Sequence, residues 1–244
     1  VAGFAGKYAT LSRTAALSRQ LSIFFKYYIR SILKNGEYHI DGEKKLTERN
    51  ATIVYSGGDD VFIVGAWNEV IELSIDLQEK FKKYTQGTLS ISSGIGIYEC
   101  TYPIGAIANE TGEMEAESKR MPEKDSVTFM DDGETHLINE LEICDGTYRW
   151  EELYKSVLGE KYDVIQDFLG ESDERGMSFL YRMLELIRNQ KEKINFARFV
   201  YLLSRLEPDK EGEKKEKYRK FSRKMYQWVQ SEKDCRELKT AICE

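Results

Sequence analysis

Proline, histidine and cysteine are scarce in this sequence: three prolines, two histidines and four cysteines in 244 residues. So few prolines leave long helices uninterrupted. Cys100, Cys144, Cys235 and Cys243 contain no C-x-x-C pair, which argues against a structural zinc site. Single, scattered thiols suit a reducing cytoplasm, and Cys144 reads as an inert one. His39 and His136 are isolated, with no His-Asp cluster. A histidine-based nuclease, Ser/His/Asp catalysis and Cys/His catalysis therefore find no support. There is no signal peptide and no apolar run long enough to cross a membrane. The net charge is −6, so no basic excess advertises nucleic-acid binding, and any RNA contact must be local or come through a partner. The stretch 110–145 is acidic; 210–224 is Lys-rich but interleaved with Glu, as a solvated helix face is. The chain opens on Val1-Ala2-Gly3 with no initiator Met, and the expectation is a piece of a longer protein.

What is present is periodic. Residues 10–34 read as a long helix capped by Thr10 or Ser12, with Leu11, Ala15, Leu17, Leu21, Phe24, Phe25, Tyr28 and Ile32 as its apolar stripe. Asn35-Gly36 ends it, and 35–50 reads as a loop. The period then changes. Thr52–Tyr55 and Val61–Val64 are β-branched and aromatic runs joined by a tight Gly-rich turn, the pattern of a hairpin. Residues 67–84 return to helix. Thr88–Tyr98 alternates as a strand broken at Gly94, Ile104–Met121 is helical and Ser126–Met130 is a short strand. Antiparallel pairing with helices on one face makes this half α+β. Asp131–Thr147 reads as a linker. Beyond about 150 the strand signal stops. Trp150–Leu158, Tyr162–Phe168, Met177–Arg188, Phe196–Arg205 and Tyr218–Val229 read as amphipathic helices of a small bundle.

Chemistry concentrates in Tyr55-Ser56-Gly57-Gly58-Asp59-Asp60. Two glycines remove side chains where the turn bends and leave room for a phosphate chain. Two adjacent carboxylates at the tip repel each other unless a cation neutralises them, and hard oxygen ligands suit Mg2+ or Mn2+. With triphosphate oxygens added, the outline is a two-metal nucleotidyl-transfer site. Gly and Asp are also ordinary surface-turn residues; the two apolar strands and the helix–hairpin–helix order favour the metal site. Ser92-Ser93-Gly94 offers small side chains that would admit a ligand, or a strand bulge at the glycine. Lys119 and Arg120 are candidates for triphosphate oxygens, or surface charges favoured at a helix C-terminus.

The motifs go beyond generic palm chemistry. Leu11-Ser-Arg-Thr-Ala-Ala-Leu-Ser-Arg-Gln-Leu-Ser-Ile-Phe-Phe, Ile53-Val-Tyr-Ser-Gly-Gly-Asp-Asp-Val-Phe-Ile-Val-Gly, Ser92-Ser-Gly-Ile-Gly-Ile, Tyr102-Pro-Ile and Lys124-Asp-Ser-Val-Thr-Phe together resemble the large palm-domain subunit of type III CRISPR effector complexes. Asn195-Phe-Ala-Arg-Phe-Val-Tyr-Leu-Leu-Ser-Arg-Leu is similar to that family's C-terminal helical domain, and the Csm-type (III-A) version fits better than the Cmr-type. The resemblance spans nearly the whole chain and corresponds to the C-terminal half of the subunit.

The resemblance implies a palm, ferredoxin-like nucleotidyl cyclase domain at 1–135 and an all-α domain at 136–244. It implies conversion of ATP to cyclic oligoadenylates in antiviral defence, switched on when the guide-bearing complex meets target RNA. By match, Asp59 and Asp60 hold two Mg2+ or Mn2+ ions. Gly57 and Gly58 admit the phosphates with Ser56 beside them, Ser92 or Ser93 touches adenine, and Lys119 meets the triphosphate. A ribose hydroxyl attacks the α-phosphate of a second ATP in line, and pyrophosphate leaves. Implied partners are the N-terminal half of the same subunit, other Csm-type subunits, and guide and target RNA, with no membrane. The family's palm normally opens with a strand bearing a further metal-binding aspartate; this sequence lacks it, so activity of the chain alone is doubtful. Two other readings stand beside this one. A diguanylate-cyclase-like palm acting on GTP shares the hairpin but normally has G-G-D/E-E-F, where this chain continues Val61-Phe62. A non-catalytic scaffold would bind neighbouring subunits through its helical half.

Overall fold

The computed structural model describes residues 10–37, 48–130, 133–169, 175–189, 193–208 and 212–243. His39 lies outside them. The chain divides into two compact units, the first ending at Trp150 and the second beginning at Glu151.

The first unit opens with the expected long helix, in three parts. Thr10 caps α1 (Leu11–Ile23), its side chain accepting from the Arg13 N–H. A π-helical stretch at Phe24–Tyr28 follows, then α2 (Ile29–Lys34). In the π stretch the Ile29 N–H reaches back to the Phe24 carbonyl, and the wider turn accommodates two consecutive buried rings, Phe24 and Phe25. The apolar stripe is buried only from Leu21 onward; Leu11 is 89% exposed and Tyr28 is half exposed.

Two antiparallel strands, β1 (Ala51–Gly57) and β2 (Asp60–Gly65), form the expected hairpin, with a bulge between Ile53 and Tyr55. Helix α3 (Trp67–Tyr84) follows. The hairpin's inward residues Ile53, Val61 and Ile63 pack on a core of Leu21, Phe24, Phe25, Ile29 and Ile32 with Leu73, Leu77 and Phe81 of α3. Both period changes seen in the sequence thus converge on one apolar cluster.

The rest of the first unit departs from expectation in detail. The alternating run 88–98 pairs only over β3 (Ser93–Ile95), and α4 runs Ile104–Ser118. Strand β3 is parallel to β4 (Ser126–Phe129) through α4, where antiparallel pairing was expected; a helical crossover returns the chain in the same direction. The stretch 131–147 is not a linker. It carries β5 (Thr135–Ile138) and β6 (Leu141–Cys144), which pair with each other, and the start of β7 (Thr147–Arg149), which pairs with β4. Acidic residues scattered through it hid short runs of strand formers, Thr135–Ile138 and Leu141–Cys144, whose pairing with each other specifies them. Among the described residues the sheets are β1–β2, β3–β4–β7 and β5–β6. The first unit is therefore mixed α+β, with small sheets and helices.

The second unit is helical. A short α5 (Trp150–Glu152) leads into a π-helical stretch at Leu153–Tyr162, followed by α6 (Asp163–Leu169), α7 (Arg175–Arg188), α8 (Lys193–Ser204), α9 (Glu213–Trp228) and α10 (Glu232–Cys243). Helix α10 was not anticipated, although Ser231 with Asp234 three residues on is an N-terminal signal: the Asp234 N–H donates to Ser231 Oγ. Its buried Cys235, Leu238 and Ala241 join a core that includes Val157, Met183, Phe199, Phe221 and Met225. Lys161 is fully buried here and donates to Glu237, to Asp234 and to Ser156. Among the described residues no helix is long and apolar enough to cross a membrane.

Candidate metal and nucleotide site

The hairpin turn has two central residues, Gly58 and Asp59, between the paired Gly57 and Asp60. Only Gly58 of the two has a positive φ, 66°. A non-Gly residue would be strained there, while the space around its Cβ position is open. Gly57 differs: a Cβ there would fall 2.3 Å from the Tyr55 hydroxyl. The Tyr55 ring, more than half exposed, lies beside the glycine strip, a neighbour that the motif alone did not single out. The bulge between Ile53 and Tyr55 interrupts the strict alternation of strand faces.

Asp59 and Asp60 are both exposed, and neither carboxylate takes part in a hydrogen bond or ion pair with the described residues. Two free carboxylates on a rigid two-residue turn suit a hard cation. Mg2+ characteristically takes one or two protein carboxylates and completes its shell with substrate phosphates and water. Two adjacent exposed carboxylates, Asp59 and Asp60, fit that mode; among the described residues there is no cluster of three or more potential ligands.

Ser56 is tied down: its hydroxyl donates to the Phe25 carbonyl at 2.7 Å, which fixes the strand just before the glycines to the π-helical stretch. Its remaining lone pairs can still accept.

The other expected residues sit on other elements. Ser93 opens β3, opposite Val127, in a different sheet from the hairpin. Ser92 Oγ approaches the Lys124 carbonyl at 3.5 Å. Ile91, just before it, packs on the same core as Val61 and Ile63. Lys119 caps the C-terminal end of α4, and its Nζ pairs with Glu115 at 2.6 Å. Arg120 pairs with Glu117. Gly94 neither opens space for a ligand nor makes a bulge. A Cβ there would lie 2.3 Å from the Thr111 carbonyl oxygen and 2.6 Å from the Glu115 nitrogen, so the glycine is what lets α4 lie against β3.

Residues 2–128 match the family model of the Cas10/Cmr2 second palm domain. The chain belongs to the Cas10/Cmr2 family. Residues 166–243 match the second helical domain of the CRISPR RNA silencing complex Cmr2 subunit. The chain is 41% identical, over 97% of its length, to the CRISPR system single-strand-specific deoxyribonuclease Cas10/Csm1 (subtype III-A) of Mycobacterium tuberculosis, of which it covers 28%. It is also similar to a Csm1-Csm4 cassette solved in complex with cA4, at 25% identity and TM-score 0.60 over 80% of this chain and 28% of that one. A Csm1-Csm4 cassette solved with AMPPNP gives 25% identity and TM-score 0.60, over 95% of this chain and 33% of that one. The Csm-type resemblance read from the motifs is thus borne out. The chain corresponds to the second palm and C-terminal helical region of Cas10/Csm1, and spans under a third of the length of the relatives that it matches.

Proposed function

We propose that this chain carries the nucleotidyl-transfer site of a type III-A CRISPR effector subunit and makes cyclic oligoadenylates from ATP in antiviral defence. The observation that carries the reading is the pair of exposed carboxylates without partners, Asp59 and Asp60, on the Gly57-Gly58 turn. That the cassettes similar to this chain bind AMPPNP and cA4 supports the choice of ATP as substrate.

Asp59 and Asp60 would hold Mg2+ or Mn2+, which supplies charge neutralisation at the α-phosphate and at the departing pyrophosphate, and acidifies the ribose hydroxyl. Gly57 and Gly58 let the phosphate chain approach the backbone. Ser56 keeps the turn in place through Phe25. Ser92 or Ser93 would meet the adenine, and Lys119 would reach the triphosphate by exchanging Glu115 for phosphate oxygens. In the reaction a ribose oxygen forms a bond to the α-phosphorus of a second ATP, the α–β bridging P–O bond breaks and pyrophosphate leaves. No side-chain nucleophile is required. Two carboxylates make a partial ligand set, so the chain works with the rest of its subunit, with other Csm-type subunits, and with guide and target RNA, in the cytoplasm.

The test uses the full-length subunit assembled with guide and target RNA and incubated with ATP and Mg2+ or Mn2+. Cyclic adenylates should form. Asp59→Ala with Asp60→Ala should abolish them and spare assembly, because both residues lie at an exposed turn. Product from the double variant at the parental level sinks the assignment. Turnover of GTP in place of ATP would indicate a diguanylate-type palm, and turnover of neither a scaffold.

A further inference from the structure

The chain as a whole is acidic, yet the exposed face of α7 and α8 among the described residues is not. From Ser178 to Asn189 on α7 and from Ile194 to Arg205 along α8 and just past its end, the cations are Arg182, Arg188, Arg198 and Arg205, and the only acid is Glu185. These arginines are all exposed. On the Lys-rich α9, four lysines are paired with acids of the same unit. Lys215 pairs with Glu207, Lys217 and Lys220 with Asp167, and Lys224 with Glu160. Arg182, Arg198 and Arg205 have no carboxylate partner among the described residues. Arg198 only donates to Asn195 Oδ1, and the Arg205 guanidinium lies 5.9 Å from the centre of the Tyr201 ring.

Between these arginines stand large exposed rings. Tyr181 is 67% exposed and Tyr201 is 63% exposed. They are not spare core residues: the buried face is filled by Leu180, Met183 and Leu184 on α7 and by Phe199 and Leu203 on α8. Helices α7 and α8 pack on each other, and only residues 189–192 separate them in the chain. Unneutralised guanidiniums interleaved with exposed aromatic faces form a surface for bases and phosphates. Bases stack on rings irrespective of sequence, and arginines track the backbone.

We propose that the exposed face of α7 and α8 binds single-stranded RNA, with Tyr181 and Tyr201 stacking bases and Arg182, Arg198 and Arg205 meeting phosphates. RNA is the committed occupant because this part of the chain matches a helical domain of an RNA silencing complex. The proposed site lies in the second unit, Asp59 and Asp60 in the first, and the proposal does not depend on the nucleotidyl-transfer reading.

The experiment measures fluorescence anisotropy of a short, unstructured, labelled RNA with the 244-residue chain at about 50 mM and about 200 mM salt. The parent chain should bind, and more weakly at the higher salt. Arg182→Ser with Arg198→Ser and Arg205→Ser should weaken binding about tenfold or more, and flatten the salt slope by roughly 0.7 for each phosphate left without its arginine. Tyr201→Ala should weaken binding at least about fivefold with an unchanged slope, and Tyr201→Phe should restore it. Lys217→Ser with Lys220→Ser on α9 should bind as the parent does. Matched thermal midpoints establish that each variant folds. The proposal is overturned if the parent does not bind, or if the triple arginine variant binds as well as the parent. It is equally overturned if the α9 variant is weakened as much, or if duplex RNA or DNA of the same sequence binds as tightly. Retained RNA binding by the triple arginine variant, with loss of another protein subunit from the assembled complex, would make this face a protein interface instead.

Discussion

The Arg49 guanidinium and the Asp76 carboxylate meet at 2.6 Å with both side chains buried, at 0% and 1% exposure. Asp76 also accepts from the Glu37 N–H and from Lys80, and Arg49 donates to the Glu69 and Glu37 carbonyls. The Arg49 N–H donates to the Leu33 carbonyl, and Ala51 follows at once as the first residue of β1. The pair thus anchors the base of the hairpin to α2 and α3, at the end opposite the aspartates.

Breaking this pair from one side leaves a buried charge without its counter-ion. Asp76→Ala should destabilise the chain by about 3–5 kcal/mol. Arg49→Met combined with Asp76→Leu should cost far less than the sum of the single changes. Urea denaturation of Asp76→Ala, of each single change and of the double variant measures this; additive losses would contradict the assignment.

Ser56→Ala removes the hydrogen bond to Phe25 and should cost about 1 kcal/mol. Its effect on product formation in the assembled complex should exceed its effect on stability, because the anchor that it removes lies just before the Gly57-Gly58 turn. Thermal denaturation beside the ATP assay separates the two; an unchanged rate would show that the anchor is dispensable.

The glycines of the hairpin and of β3 should respond differently. Gly58→Ala forces a side chain into positive φ with open space around it, and should cost roughly 1–2 kcal/mol. Gly94→Ala drives a Cβ into the α4 backbone, which cannot rotate away as a side chain can, and should cost more, about 1–3 kcal/mol with displacement of the helix. Equal denaturation midpoints for the two variants would refute this ordering.

Tyr98 should make stability fall in alkali. Burial first, and then the Glu110 carboxylate beside it and Tyr102, push its phenol up to about 12 from 10.0. A raised pKa means that the fold favours the protonated phenol. Its contribution is complete below pH 10 and is lost as the pH rises from 10 toward 12. Tyr98→Phe should remove that part of the alkaline decline, read from denaturation midpoints between these pH values.

Local signals carried a large part of the structure. The hairpin was legible because Gly-Gly-Asp-Asp between two β-branched runs is turn chemistry written in adjacent residues. The long first helix and α3 were legible from their 3.6-residue period, and the motifs sufficed to recognise the family. The strands at 135–149 were not, since each is only three or four residues long and acidic residues stand among them, so that pairing rather than period marks them. The bounds of β3 and the parallel pairing with β4 escaped for the same reason. At the candidate site, the aspartate pair and its glycines could be read from the chain, but the partner of Ser56, the Phe25 carbonyl 31 residues away, could not.

Neighbouring residues were enough to specify the turn that presents Asp59 and Asp60, most of the helix positions and the family, because period and turn preference act between residues a few positions apart. Folding in three dimensions was needed for Arg49 to meet Asp76 across 27 residues, for buried Lys161 to meet Glu237 across 76, and for α4 to require a glycine at position 94. Such pairings have no local signature: each exists only after chain closure brings distant segments together, and its energy depends on the burial that closure creates.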